Sequence, residues 1–411
     1  MSTSPVATLG DSLVLKEVMI DPYPTLRRLQ REDPVHWCDA IGAWLFTRYD
    51  DIVPTFRNVC VYSNEGRLAK VVEYLPAESR AHYKVLEEHF RAKSLIFSDP
   101  PDHTRLRALV TKVFNATRVE EMRPRITELI DKLVGDALDR GRADVINDIA
   151  VPLPFTIVGA IIGVPASDQD NVKRWADELL AFQGLNKPPE AILKISQQAL
   201  IDFRAYISEL IRERRRTPRA DLLSSLVAAE AEGDKLTEQE LTYTCITLLV
   251  AGHETTTSLI GNGLYTILRH PDQWNLLRRE PSLLGSAVEE MLRFESPVAR
   301  QPRVVKQDIE LRGKLIRQGD VVFQMLNAAN RDPEYFENPD QFDIRRQPNR
   351  HLSFGMGIHF CVGALLARTE AQILFQTLVE RAPHIQLVDE TPDWDLRKPN
   401  SRMMHSLPVR F

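Results

Sequence analysis

The residue best placed for chemistry is Cys361, in the run FGMGIHFCVG that spans 354–363. Glycines at 355, 357 and 363 let backbone approach something flat and bulky without the steric cost of a side chain. A long apolar helical pattern follows. A helix starting at Cys361 would aim its positive end and unpaired N–H groups at the sulfur, which favours thiolate. Such a thiolate is either a nucleophile or a metal ligand. A nucleophile wants a base, and His359, two residues earlier, is the candidate. A third reading is a buried, inert cysteine under a glycine-rich loop.

Three other stretches carry chemical side chains. AGHETTT (251–257) places Glu254 and Thr255 after the apolar run TCITLLVAG. Small and hydroxyl-bearing residues there allow a helix to bulge, because threonine side chains compete for backbone carbonyls. Close helix packing around a buried polar turn would use the same residues. EEMLRF sets Glu290 and Arg293 three apart on one helix face, as countless surface helices do. DPPDHTRLRAL (99–109) sets His103 and Arg107 four apart, which by itself reads as a basic helix start.

The elements that must position these groups are mostly helices. Apolar spacing predicts helices over 22–32, 103–114, 119–139, 168–182, 190–216, 237–269, 282–294 and 362–381. The longest opens on Thr237 and Glu240, a capping-box pair, and stops before His270-Pro271. At 1.5 Å per residue it would run roughly 50 Å, enough to cross the whole protein. Strand-like segments are few. Residues 35–49 read as a hairpin turning near Ile41-Gly42, 309–326 as another pair, and HSLPVRF at the end as an edge strand.

The chain has 411 residues, 43% hydrophobic and 27% charged, ample for a large core. No linker, repeat or low-complexity tract divides it, so one unit over 1–411 is expected, a helix-rich bulk with a small β-rich part near the N-terminus. The first residues lack a basic start followed by an apolar run, and no stretch reaches the ~20 residues of a membrane span. No membrane association and a cytoplasmic location are therefore expected. Cys38, Cys60, Cys245 and Cys361 are scattered without paired spacing, as in a reducing compartment. A net charge of −5 argues against nucleic-acid binding. The basic run RERRRTPR (212–219) reads as the solvated end of a helix and a loop.

Phe-Gly-x-Gly-x-His-x-Cys-x-Gly matches the haem-binding loop of the cytochrome P-450 family at every fixed position, and the sequence resembles the soluble bacterial members. By average residue usage such a match would arise by chance on the order of 10⁻⁵ or less. The resemblance spans about residue 20 to the end, with every hallmark in the family's order. It implies a mainly α cytochrome P-450 fold, with haem b buried between the long central helix and the cysteine loop. Cys361 is then the axial thiolate on iron, with Phe354, Gly355, His359 and Gly363 around it. Thiolate ligation pushes electron density to favour O–O cleavage, an effect known for this family.

Other roles follow from the same resemblance. Ala251-Gly252-x-Glu254-Thr255 is similar to the oxygen-binding segment. Ala251 and Gly252 would leave room for dioxygen, and Glu254 and Thr255 would form an acid–alcohol pair that handles protons. His253 falls at the variable position, for packing or solvent. Glu290 and Arg293 would join an arginine of FDIRR, Arg346 with Arg345 as substitute, in a buried network that fixes the cysteine loop. His103, Arg107, Arg303 and His359 would bind the haem propionates. Residues between Tyr62 and Asp99 would form a lid that mixes Arg67, Lys70, Arg80, Lys84, Arg91 and Lys93 with Val71, Val72, Tyr74, Leu75, Leu95, Ile96 and Phe97. Leu95, Leu248, Ala251, Val298, Ala299 and Met403 would then line an all-apolar, permissive pocket, with any carboxylate steered by a lid cation and not held deep inside.

The implied activity is insertion of one atom of O2 into a medium-to-large hydrophobic molecule, of fatty acid, terpenoid or polyketide type. No flavin or reductase segment is visible. Electrons would come from a ferredoxin, or a flavodoxin, with its NAD(P)H-dependent reductase, and the protein would be a monomer. A peroxide-driven peroxygenase of the same fold and a non-enzymatic haem sensor are the alternatives.

Overall fold

The computed structural model describes residues 8–68, 72–182, 185, 187–231 and 236–411. Lys70 and Val71 of the expected lid lie outside them. Nine helices matter for the site: α1 (Tyr23–Glu32), α2 (Asp102–Val113), α3 (Ala116–Asp139), α4 (Pro152–Ile162), α5 (Gln169–Leu179), α6 (Glu190–Arg216), α7 (Glu238–Leu268), α8 (Leu284–Phe294) and α9 (Ala364–Arg381). The bounds of all but α4, which the apolar spacing does not predict, follow that spacing to within a few residues.

Helix α7 is the spine. Thr237 Oγ1 accepts from Glu240 N at 3.1 Å, and Thr237 N donates back to the Glu240 carboxylate at 2.9 Å. Both orphan donors of the helix start are thus satisfied. The helix is buried nearly all round, against α4, α6 and α8. Its middle stays helical through AGHETTT, where a bulge had been expected. Thr255 Oγ1 donates to Ala251 O at 3.1 Å and Ser258 Oγ to Glu254 O at 2.9 Å, one turn back, without displacing the ladder. A Cβ at Gly252 would stand 2.9 Å from Val158 Cγ2, so this glycine serves the close approach of α4.

Among the described residues twelve short strands surround the helices. A five-stranded sheet runs β1 (Val35–Cys38), β2 (Ala43–Phe46), β8 (Val321–Gln324), β5 (Gln301–Val305), β3 (Tyr62–Ser63). The hairpin at 35–49 is present, with Val35 opposite Phe46. The segment 309–326 holds three strands where a pair had been expected. β6 (Ile309–Leu311) and β7 (Lys314–Ile316) form their own hairpin. The turn at Gly319 (φ +89°) then redirects β8 to lie parallel to β2 and antiparallel to β5. A third sheet joins β4 (Arg142–Asp144), β12 (Pro408–Arg410) and β9 (Gln386–Leu387), so the terminal strand is central and not an edge, with Val409 buried. β10 (Asp393–Trp394) pairs with β11 (Met404–Ser406).

One large apolar core lies among the helices, and two smaller ones lie under the five-stranded sheet. The basic run at 212–219 is not wholly solvated: Arg214 turns inward and its Nε meets Asp221 at 2.6 Å. Among the described residues no helix is long and apolar enough to cross a membrane.

Candidate active site

The cysteine sits on a loop that only glycine can trace. Gly355 and Gly357 both take φ +68°, and a Cβ at Gly357 would fall 2.7 Å from Phe56 O. Gly355 N donates to Leu352 O at 2.8 Å and Cys361 N to Phe354 O at 2.9 Å, closing the loop on itself. Helix α9 begins at Ala364, two residues later than the apolar spacing suggested. The positive pole therefore reaches the sulfur through the Gly363 N–H, which hydrogen-bonds it, and not through a helix started at Cys361 itself. The thiol opens into a cavity while protein encloses the rest of it. Burial pushes its pKa up, opposed by that N–H and by the guanidiniums of Arg107 and Arg368.

The cavity spans about 1200 Å³ including its opening to solvent. Cys361, Val362, Gly363, Phe354, Gly355 and His359 form one side; Leu248, Ala251, Gly252 and Thr255 of α7 face it. Among the described residues no three His, Cys, Asp or Glu gather to hold a bare metal ion. A metal bound at Cys361 must bring most of its ligands with it, which suits a flat macrocycle.

At one edge His103, Arg107, Arg303 and His359 converge. The rings of His103 and His359 lie tilted at 52° with centroids 4.1 Å apart; Arg107 acts electrostatically on His103, and Arg303, Arg67 and Arg107 act on His359. Both ring nitrogens of His103 and Nε2 of His359 are buried without a partner. Burial lowers the pKa of both histidines, that of His359 strongly, with Arg107 adding to the effect at His103 and His103 itself, then Arg303, at His359. Burial pushes Arg303 down to about 9, and it bonds only the carbonyl of Pro302, at 2.9 Å. Buried donors without acceptors call for anions. The carboxylates of haem fit this edge, and the thiolate fits its iron.

Behind the loop, Glu290 and Arg293 are completely buried and joined twice, at 2.7 and 2.8 Å. Arg346 Nε reaches Glu290 at 3.2 Å, whereas Arg345 pairs with Glu280 at the surface, which settles the choice between them. Arg293 also donates to Asn330 O at 2.9 Å, and Asn330 Nδ2 donates to Ser353 Oγ at 2.9 Å, next to Phe354. The network thus braces the cysteine loop. Sequence reasoning missed a second brace: Arg368 on α9 bonds Glu289 at 2.6 and 2.8 Å and covers the Phe354 ring at 4.4 Å. Only the i, i+7 offset of Arg368 from Cys361, two helical turns, could have drawn attention to it.

A second cavity of about 970 Å³ shares Ala251, Thr255, Val298 and Gln301 with the first. The lid segment contributes Arg67, Leu68, His89, Phe90, Ile96 and Phe97 to it. The expected pocket list needs correction. Leu95 is buried in the helical core with Phe97 and lines neither cavity. Ala299 and Met403 line a smaller neighbouring cavity with Trp394, while Val298 lines the two larger ones. Leu248 faces the cysteine cavity only. Nor is the wall all apolar: His89, Thr247, Gln301 and Arg67 are part of it. His253 is buried against Phe155, with Nε2 3.3 Å from Asp177, so it packs and does not face solvent.

Comparison with known proteins agrees. The family model described as Cytochrome P450 matches residues 57–408. The biotin biosynthesis cytochrome P450 of Bacillus subtilis is 39% identical over 98% of this chain and 100% of its own. The cytochrome P450 monooxygenase PikC of Streptomyces venezuelae is 40% identical over 100% of this chain and 95% of its own. Among solved structures, P450BioI with a hexadec-9Z-enoic acid ligated acyl carrier protein superposes with TM-score 0.88 at 37% identity, over 97% of this chain and 100% of that one. Myxobacterial CYP267B1 in complex with myristic acid gives 0.87 at 38% identity, over 97% and 98%. A near full-length match in sequence and fold, around a glycine loop that presents one cysteine to a cationic-edged cavity, places this protein in the cytochrome P450 family, as a monooxygenase.

Proposed function

We propose that this chain is one folding unit that holds haem b through Cys361 and inserts one oxygen atom into a medium-to-large hydrophobic molecule. The observation that carries the reading is the accessible Cys361 thiol facing Ala251 and Thr255 across one cavity. His103, Arg107, Arg303 and His359 would hold the haem carboxylates, and Arg368 and the Gly363 N–H would steady the sulfur. When bound, haem supplies the iron that activates dioxygen. Thr255 and Glu254 stand one after the other on α7 at the wall of the adjoining cavity, placed to pass protons from solvent to the reacting centre. The apolar wall excludes stray water and orients the substrate.

Fatty acids and polyketide-type molecules are the substrate classes that the relatives' names support, and the large distal cavity suits them. Electrons come from a separate ferredoxin or flavodoxin with its NAD(P)H-dependent reductase. Turnover with NAD(P)H, redox partners and labelled dioxygen should put label into product. Turnover driven only by hydrogen peroxide would replace this reading with the peroxygenase.

A further inference from the structure

Several buried arginines of this protein can be matched with an anion. Arg214 meets Asp221 at 2.6 Å, Arg293 meets Glu290 at 2.7 Å, and Arg402 meets Glu295 at 2.8 Å. Arg107 and Arg303 stand where two haem carboxylates would neutralise them. Arg67 is left over. Its Nε is buried without an acceptor, its guanidinium lies 5.3 Å from the centre of the Phe97 ring, and no carboxylate among the described residues is within ion-pair reach.

The other described lid cations differ. Arg80 and Arg91 pair with Glu87, Lys84 with Glu88, and Lys93 with Asp102, all at the surface. Arg67 alone of them lines the distal cavity, beside Gln301 and among apolar side chains. Burial pushes it down to about 10, so the site disfavours its charge until an anion arrives. Arg300 borders the same cavity but is already engaged, with Nε on Asn400 Oδ1 at 2.8 Å and its guanidinium over Phe323.

We propose that Arg67 is a substrate-binding residue that receives the carboxylate of a long apolar acid lying in the distal cavity. This rests on the monooxygenase reading and narrows its substrate class from hydrophobic molecules to amphiphilic anions. It also replaces the expectation of a solvated lid cation with an enclosed anchor. A charge-assisted guanidinium–carboxylate pair in an apolar wall favours the acid over its ester far more than a surface cation would.

The test uses full-length haem-loaded protein and three probes of equal chain length: tetradecanoate, its methyl ester and 1-tetradecanol. Dissociation constants are measured by calorimetry alongside the spin-state shift. Wild type should bind the acid about tenfold or more tighter than the ester, a gap of about 1.4 kcal/mol. Arg67→Gln should close the gap while leaving ester affinity within about twofold, and Arg67→Lys should keep part of it. The same gap in Arg67→Gln, or no gap in wild type, overturns the proposal. So does faster haem loss from Arg67→Gln with the gap intact, because Arg67 would then serve the haem carboxylates. Loss of the thiolate carbon monoxide spectrum in wild type would instead mean that the haem-thiolate reading itself is wrong.

Discussion

Lys398 Nζ lies 3.2 Å from Glu254 Oε2, and the two side chains are only 16% and 12% exposed. The lysine comes from the loop after β10, more than a hundred residues from α7, and nothing in the local sequence links them. It gives the carboxylate a fixed rest position at the rim of the distal cavity. Glu254→Gln should cut product formation by about 10²- to 10⁴-fold, the usual worth of a positioned proton donor. Lys398→Gln should cost less than about tenfold. Equal damage from both would move the proton-handling role to the lysine.

Thr255 Oγ1 rests on Ala251 O and is exposed to both cavities. Thr255→Ala should leave NAD(P)H consumption in place while hydrogen peroxide accumulates at the expense of product. A product-to-NAD(P)H ratio equal to wild type would show that the hydroxyl has no part in proton transfer.

Glu290 carries the brace behind the loop. Glu290→Gln leaves Arg293 buried without its counter-charge, which should lower stability to denaturant by about 3–5 kcal/mol. Arg345→Ala, which breaks a surface pair, should lower it by about 0–1 kcal/mol. Similar losses in the two variants would deny the network its structural weight.

The chemical groups were legible in the sequence because each sits on a short, local pattern: the glycine loop, the Glu-x-x-Arg turn, the His-x-x-x-Arg turn. Helix bounds were legible because one face repeats at helical spacing, as in Glu190–Arg216, read without error. What could not be read depends on partners far along the chain. Lys398 on Glu254, Arg368 on Phe354 and Asn330 on Ser353 are such pairs. The central place of β12 is another, since pairing with β4 spans most of the chain. Leu95 and Ala299 were misplaced because which cavity a side chain lines depends on the packing of distant elements around it.

Glu370 on α9 has both carboxylate oxygens buried without a partner, and burial pushes it up to about 8 from an ordinary 4.5. The unfolded chain releases this proton first, so the group lowers stability as pH rises from about 4.5 to about 8, and has no effect on the slope outside that window. Glu370→Gln should therefore flatten the fall in melting temperature between pH 5 and pH 8. An unchanged slope would mean that the carboxyl finds a partner or water in solution.

The central claim is that Cys361 is the thiolate ligand of haem iron, and the absorption spectrum of the reduced protein under carbon monoxide tests it most directly. Wild type should show the strongly red-shifted Soret band of thiolate ligation, and Cys361→Ala should lose it. A band at the position typical of histidine-ligated haem in wild type, or an unchanged red-shifted band in Cys361→Ala, would contradict the assignment.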